Sequence, residues 1–168
     1  MVRHQVTPET EYQFLHDLYN GNQEAINIFM TMARISHAMD DLIDKDNEVS
    51  DVEIAEAFFM AICVLPSIKL YRDNIDDFRS FMFMVFTDYI SSVELEKGTE
   101  HERNMAFMLR DSLTGLATLI CALLYGRTVA MQKAAEIRRF FHDEHLEEYK
   151  QLLPTKPVDD SADTQGDE

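Results

Sequence analysis

Three aspartates within five residues carry the strongest chemical signal in the chain, at Asp40, Asp41 and Asp44. Asp40 and Asp44 are four residues apart, so on a helix their carboxylates lie on one face, one turn apart. His37 lies one turn before Asp40. Carboxylates at this spacing bind hard divalent cations, and Mg²⁺ accepts them while keeping waters that a phosphate can replace. The pattern predicts a magnesium site with Asp40 and Asp44 as ligands.

The sequence ARISHAMDDLIDKD, residues 33–46, contains these aspartates as D-D-x-x-D. It resembles the first aspartate-rich motif of the class I isoprenoid synthases, the prenyltransferases, squalene and phytoene synthases and terpene cyclases. The resemblance implies an all-α fold whose Mg²⁺ ions hold a diphosphate leaving group while an allylic cation forms. It also implies that Asp40 and Asp44 bind metal and that Asp41 supports them. We expect His37 to join Asp41 in a supporting catalytic role.

That family completes its site with a second acidic motif on a facing helix, and neither of its usual forms occurs in this chain. The nearest substitutes are Asn104 and Asp111, two turns apart on one face of a predicted helix. Asp111 is the candidate for a further metal ligand. Arg103 and Arg110 lie on the adjoining stripe, and guanidinium groups bind phosphate oxygens. We therefore expect Arg103 and Arg110 to contact the diphosphate.

A second cluster, residues 141–148, reads FHDEHLEE. His142, His145 and Glu148 follow each other at three-residue spacing, which can bind zinc or iron. The di-iron helical bundles, however, need a glutamate three residues before each histidine, and no histidine in the sequence has one. A charged outer face near a helix end is the favoured interpretation of this cluster.

The two cysteines, Cys63 and Cys121, both lie in apolar runs, so we expect buried thiols rather than a disulfide or metal ligands. The first residues lack the apolar core of a signal peptide. The longest apolar run, residues 54–65, contains Glu56 and is too short to cross a bilayer. These features predict a cytoplasmic protein with no membrane span.

The chain is strongly acidic, with a formal net charge of −16 over 168 residues. The last fifteen residues hold five acids and one lysine, which leaves −12 for the rest of the chain. Such a charge argues against non-specific binding to nucleic acid or to anionic membranes. It is compatible with binding cations or a basic protein.

Apolar periodicity and helix signals predict an all-α protein: one helical bundle domain over residues 1–153, of about six helices, followed by a disordered acidic tail over 154–168. Pro66 is expected to kink or split the third helix, and Gly115 to mark a close helix–helix approach. The predicted N-caps are Thr7, Ser50 and Thr99. The predicted helices cover 8–20, 22–45, 51–72, 75–97, 100–125 and 128–152.

The helix predicted over 22–45 is apolar nearly all round, which is typical of a central, buried helix. Ile26, Phe29 and Met30 occupy one sector, and His37 and Asp40 continue it. The aspartates are therefore expected to point into the bundle, where an unpaired charge is costly.

Two functions follow as alternatives. The first is a small Mg²⁺-dependent enzyme acting on a diphosphate-containing substrate, by transfer or by hydrolysis with pyrophosphate as leaving group. All-α nucleotide pyrophosphohydrolases belong to this class. Glu144 and Glu147, and likewise Glu53 and Glu56, have the spacing of their first E-x-x-E motif, although no convincing second motif follows. The second is a non-catalytic acidic helical protein that binds or inhibits a basic partner.

Overall fold

A computed structural model describes residues 4–44 and 48–153, and within these ranges the chain is all-helical with no β-strand. The predicted all-α fold class is confirmed. Ten α-helical segments are present there. A π-helical turn, Met60–Val64, joins the third to the fourth, and a 3₁₀ turn, Ser112–Thr114, joins the seventh to the eighth. The described ranges therefore contain eight helices, more than the six predicted. The α-helical segments are α1 (Pro8–Leu18), α2 (Gln23–Asp44), α3 (Asp51–Phe59), α4 (Leu65–Ser67), α5 (Lys69–Asp73), α6 (Ile75–Leu95), α7 (Glu100–Arg110), α8 (Gly115–Tyr125), α9 (Arg127–Phe141) and α10 (Leu146–Leu152).

Three of these helices begin at the predicted caps. The side-chain oxygens of Thr7, Ser50 and Thr99 each accept the backbone N–H of the residue three positions on. In α3 and α7 that residue is a glutamate, Glu53 or Glu102, whose carboxylate accepts the N–H of the cap in return. These reciprocal capping boxes satisfy backbone donors that the first helical turn leaves open, and so fix where α3 and α7 start.

Two predicted helices divide, which is why the count of about six was too low. The helix predicted over 51–72 winds into the π turn ahead of Pro66, where the N–H of Leu65 donates to the carbonyl of Met60. It then stops at Ile68, whose ψ of 125° is extended. The helix predicted over 128–152 ends at Phe141 and restarts at Leu146. Pro66 explains the disturbed ladder in the π turn, because it lacks the N–H that would bond to a carbonyl of the preceding turn.

The hydrophobic core is formed mainly by α1, α2, α8 and α9, with Phe78 of α6 reaching into it. A Cβ atom added to Gly115 would lie 3.1 Å from Cε2 of Phe81, so α8 begins in close contact with α6. The predicted close approach at Gly115 is confirmed. Large side chains without solvent exposure, or nearly so, are Leu15, Tyr19, Ile26, Ile28, Phe78, Leu116, Ile120 and Ile137.

The segment formed by α3 and the π turn lies on the outside of the bundle and packs mainly against α2. Cys63, in the π turn, is consequently exposed, so the prediction of a buried thiol there is wrong. Cys121 on α8 is buried as predicted. An apolar run predicted burial for both, but only the run in α8 is enclosed by neighbours. The predicted disorder of residues 154–168, and Lys45 at the predicted end of α2, lie outside the described residues.

One helix in the described ranges, Glu100–Tyr125, is long and apolar enough to cross a membrane by length and composition. A core helix of a folded domain has the same properties. Leu116, Ala117 and Ile120 of this helix are fully buried in the bundle. The expectation of no membrane span stays a prediction.

Candidate functional site

The aspartate motif lies at the end of α2, where that helix leaves the core. Ile26, Phe29 and Met32 in its first half are buried, whereas Leu42 and Ile43 beside the aspartates are exposed. His37 is exposed, and Asp40 and Asp41 are partly buried. The predicted central burial therefore holds for the first half of the helix and fails for the second. The structure does not describe the side chain of Asp44.

Asp40 is held in a charge-neutralising contact. Its Oδ1 accepts a hydrogen bond of 2.7 Å from the Tyr89 hydroxyl and one of 2.9 Å from Nη2 of Arg110. The guanidinium carbon of Arg110 lies 5.8 Å from the ring centroid of Tyr89, which adds a cation–π contact. A metal ion binding through this oxygen would have to displace Arg110 or Tyr89.

The same arginine continues the network to a second carboxylate. Nη1 of Arg110 donates to Oε1 of Glu96 at 2.7 Å, and the Tyr149 hydroxyl donates to that oxygen at 2.6 Å. Burial, together with the hydrogen bond to Glu96, raises the pKa of Tyr149. The side chains of Arg110 and Glu96 are only 16% and 14% exposed. Arg110 thus lies between two carboxylates and compensates both.

Arg103, the other predicted phosphate ligand, donates from Nε to the backbone carbonyl of Glu96 at 3.0 Å. Both Arg103 and Arg110 thus have protein partners, and their predicted roles toward a diphosphate remain predictions.

Glu96, Tyr89 and Tyr149 were not among the predicted site residues. Their contacts join positions 14 to 53 residues apart in the chain, which no local spacing reveals.

Asp111, the predicted third metal ligand, is almost fully buried and contacts His142, the residue after the end of α9. Its Oδ2 lies 2.6 Å from Nδ1 of His142. Arg138 donates to the backbone carbonyl of Asp111 at 3.2 Å and to the hydroxyl of Thr114. The neighbouring candidate Asn104 has a buried Oδ1 with no hydrogen-bond partner in the described ranges.

Within the described part of the chain, no group of three or more histidine, cysteine, aspartate or glutamate side chains is arranged to hold a metal ion. Asp40 and Asp111 each contact a basic side chain instead, Arg110 and His142 respectively. The predicted magnesium site remains a prediction, because the structure does not describe the side chain of Asp44, one of its two principal ligands.

The cluster at residues 141–148 differs from its predicted structure. It is a link between two helices and binds the start of the chain. One oxygen of Asp143, Oδ2, accepts the backbone N–H groups of His4, Gln5 and Val6 at 3.0, 2.8 and 3.1 Å. Nε2 of His4 lies 2.6 Å from Oε2 of Glu148. The prediction of a charged outer helix face is wrong here. Asp143 and Glu148 instead bind residues 4–6, which therefore pack against the segment between α9 and α10.

His37 and Asp41 line a small polar cleft of about 220 Å³ between α2 and the beginning of α3. Glu53 and Glu56 lie on its α3 side. Both glutamates have partners: Glu53 is bonded to its cap Ser50, and Glu56 lies 3.8 Å from Nη2 of Arg34. In this cleft, Asp41 of the aspartate motif and a second set of carboxylates line the same opening.

A second opening in the described surface is apolar. It is a groove of about 1120 Å³ between the α3–α4 segment and α6. Phe78 and Leu65, which are buried core residues, form part of its lining together with Met32 of α2. The apolar residues that line it are Met32, Ile35, Ala61, Leu65, Tyr71, Phe78, Met82, Phe83, Met84 and Phe86.

The apolar surface extends beyond the groove along both flanking helical segments. Phe83 of α6 is 69% exposed and Ile62 of the π turn is 68% exposed, so these side chains stand in water. Removing a large apolar side chain from water is worth about 1.5–3 kcal/mol. The other exposed large side chains on these segments are Val52, Phe58, Phe59, Met84, Phe86 and Ile90.

One sequence signal could have indicated this surface. In α6, the apolar residues Phe78, Phe81 and Val85 face inward, yet Phe83 and Phe86 on other sides of the helix are exposed. A helix with apolar residues on several sides either lies in the centre of the fold or contacts another molecule.

Comparisons with protein-family models, curated proteins and solved structures found no match for this chain.

Proposed function

We propose that this protein is an acidic helical interaction protein that binds a basic segment of a partner protein in the groove between the α3–α4 segment and α6. The observation that carries the proposal is the groove itself: its lining reaches the core at Phe78, while its wall residue Phe83 is mostly in water. Contiguous exposed apolar surface of this kind is typical of interaction sites. Methionines in the lining, such as Met82 and Met84, adapt to the shape of a bound segment.

The net charge of the region that includes both walls favours a basic partner. Residues 48–95 contain nine acidic and three basic side chains, while the charged residues of the lining itself are one of each sign, Asp76 and Arg79. A basic segment would gain from this field both in its rate of association and in its orientation. An anionic membrane or nucleic acid would be repelled.

The open form of the groove favours a peptide segment over a small molecule. Small-molecule pockets are concave sites that enclose most of their ligand. This groove of about 1120 Å³ instead continues into exposed apolar side chains such as Phe83 and Ile62.

The test compares the full chain with a groove variant, Phe83→Asp/Met84→Asp, and a matched control, Met131→Asp. Met131 is exposed on α9 and is not part of the groove lining. Each protein is immobilised and used to capture basic proteins at low and high salt, and hydrogen exchange then maps the bound surface. We expect the wild type and the control to retain the same basic partner, with protection on α6 and the α3 segment.

Loss of that partner only in the groove variant would support the proposal. Capture that is unchanged by Phe83→Asp/Met84→Asp, or protection confined to other helices, would contradict it. Salt separates the two contributions, because it screens the acidic walls and leaves apolar burial intact. We expect high salt to weaken binding without abolishing it.

A Mg²⁺-dependent activity on a diphosphate-containing substrate is the second candidate. One observation favours it: His37 and Asp41, from the aspartate motif, line the same cleft as Glu53 and Glu56. In that arrangement Asp40 and Asp44 would bind the metal, and Asp41 and His37 would support them.

Calorimetric titration with Mg²⁺ and inorganic pyrophosphate tests this second function. The wild type is compared with Asp40→Asn/Asp44→Asn and with Asp41→Asn, and Asp77→Asn on α6 serves as a control. Binding that requires the three motif aspartates and not Asp77 would support the metal site. Absence of binding, or equal binding by all four proteins, would count against it.

A further inference from the structure

The break between α9 and α10 lies in a stretch whose residues are compatible with a helix. Residues 142–145 contain neither glycine nor proline, and all four residue types are tolerated inside helices. His142 and His145 have φ values of −91° and −88°, close to the helical range, and depart from the helix through ψ values of 70° and 138°. A change of backbone dihedrals within this link would make α9 and α10 one helix, as the apolar spacing of residues 128–152 predicts.

The side chain of Gln5 binds the backbone carbonyls at which α9 stops. The N–H of His142 still makes a helical bond, of 2.9 Å. In a continuous helix the next two carbonyls, those of Arg139 and Phe140, would accept the N–H groups of residues 143 and 144. In the structure both carbonyls accept Nε2 of Gln5, at 2.9 and 3.2 Å. Gln5 therefore competes with continuation of the helix.

The same short segment also binds the acids of the link and of α10. Oδ2 of Asp143 accepts the three N–H groups of residues 4–6. Oε2 of Glu148 accepts the N–H of His145 at 3.3 Å, which caps α10, and lies 2.6 Å from Nε2 of His4. Residues 4–6 thus contact the end of α9, the link and the first turn of α10.

We propose that residues 4–6 act as a strap that keeps α9 and α10 apart, and that release of this strap lets the helix continue through residues 142–145. The strap is anchored on α1, where the hydroxyl of Thr10 donates to the carbonyl of Gln5 at 2.8 Å. When the strap leaves, backbone N–H groups of the link take the carbonyls that Gln5 vacates. This device is independent of the groove and of its occupant.

The conformation of the link decides where α10 lies. At present α10 packs on α7, where the ring of Tyr149 lies 5.2 Å from that of Phe107 and its hydroxyl donates to Glu96 at 2.6 Å. A helical link would bring α10 into line with α9 and take Tyr149 away from both partners. Glu96 would then keep its bond from Arg110 and lose that from Tyr149. The strap therefore acts on the network that holds Asp40.

Two sets of contacts favour the present form. Tyr149 and Leu153 are only 5% and 9% exposed, and a displaced α10 would return them to water. The strap adds its own hydrogen bonds to the same form. Removing the strap takes contacts from the present form alone, so the balance shifts toward the continuous helix.

The experiment changes the strap and leaves the sequence of the link untouched. His4→Ala/Gln5→Pro removes the imidazole contact with Glu148, both bonds from the Gln5 amide and the N–H that residue 5 donates to Asp143. Gln5→Ala is a milder variant that removes the amide bonds only. Gln13→Ala is the matched control, because it removes an exposed glutamine amide that bonds to Asp17 within α1.

Nuclear magnetic resonance of the full chain gives two measurements. The backbone chemical shifts of residues 142–145 report whether the link is helical, and the ring contact between Phe107 and Tyr149 reports whether α10 lies on α7. We expect His4→Ala/Gln5→Pro to move the shifts to helical values and to lose the ring contact. Gln5→Ala should move the same resonances in the same direction by less, and Gln13→Ala should resemble the wild type.

A proline in the link tests the cause of these changes. His145 is exposed and already extended, and a proline there cannot supply the N–H that a continuous helix needs. Adding His145→Pro to the strap variant should return residues 142–144 to non-helical shifts and restore the ring contact.

Unchanged shifts and an unchanged ring contact in both strap variants would overturn the proposal. So would loss of the ring contact with random-coil shifts at residues 142–145, because α10 would then detach without extending α9. Helical shifts that persist after His145→Pro is added would also overturn it, since the helix would not pass through residue 145.

Discussion

The polar network at the end of α2 and the apolar groove beside α6 differ in how far their groups are satisfied. In the network, Arg110 compensates Asp40 and Glu96, and the hydroxyls of Tyr89 and Tyr149 complete their hydrogen bonding. In the groove, large apolar side chains such as Phe83 remain in water. Buried charges that already have partners belong to the stability of the fold, whereas exposed apolar surface gains only when something covers it.

This difference changes which sequence signal points to function. The aspartate motif is the more conspicuous pattern, yet the partly buried Asp40 is held by Arg110 within the protein. Phe83 and Met84 form no recognised motif, yet they line the apolar groove. Four measurements test the comparison, beginning with the largest expected effect.

Phe78→Ala should destabilise the protein by about 4 kcal/mol, because it removes a fully buried aromatic ring and leaves a cavity in the core. Phe83→Ala, on the groove wall, should change the free energy of unfolding by less than about 0.5 kcal/mol, since its ring is already exposed. Chemical denaturation of both variants measures the difference. A large loss in Phe83→Ala would mean that the groove wall supports the fold rather than a partner.

Arg110→Met should destabilise the protein by about 3 kcal/mol, because it leaves Asp40 and Glu96 without their shared cation in a largely buried site. Arg79→Met, which removes an exposed ion pair with Asp76, should cost less than about 0.5 kcal/mol. Urea denaturation of both variants provides the comparison. If Arg110→Met unfolds like the wild type, the network is not structural, and its carboxylates become candidates for ligand binding again.

Local signals in the sequence predicted the helices well. The capping residues Ser50 and Thr99, and the break near Pro66, depend on chemistry within a few positions of the chain, so spacing alone reveals them. The division of the predicted helix 128–152 was missed. At the break, Asp143 accepts the backbone N–H groups of residues 4–6, contacts that join positions more than 130 residues apart. The capping bond from the N–H of His145 to Glu148 at the restart is a local signal that was not used.

The candidate site was predicted less well than the fold. The sequence identified Asp40 and Arg110 as polar residues of interest, but it could not show that they bind each other across 70 positions. It also could not show which apolar residues of α6 remain exposed. That depends on which of them neighbouring helices cover, and Phe83 lines the groove instead of packing in the core.

Asp143→Asn should destabilise the protein by about 2 kcal/mol, because a charged acceptor of three backbone N–H groups becomes a neutral one. Glu147→Gln, an exposed acid on the neighbouring helix α10, serves as the control and should have almost no effect. Thermal unfolding gives the stabilities, and hydrogen exchange at residues 4–6 reports the local contact. Unchanged protection of these amides in Asp143→Asn would show that the carboxylate does not hold the chain start.

The contact between His4 and Glu148 should give the smallest effect, seen as a dependence of stability on pH. The hydrogen bond from His4 lowers the pKa of Glu148 below its ordinary value of 4.5. A carboxyl with a lower pKa in the folded state stabilises the fold above its unfolded pKa, and that stability is lost as pH falls through the folded value. The wild type should therefore be more stable than Glu148→Gln near neutral pH, and the difference should shrink as the solution is acidified below pH 4.5.

Urea denaturation of both proteins across this pH range, with Glu147→Gln as control, measures the difference in stability. A difference that stays constant with pH would mean that Glu148 acts through its uncharged contacts, such as its bond to the N–H of His145, rather than through its charge.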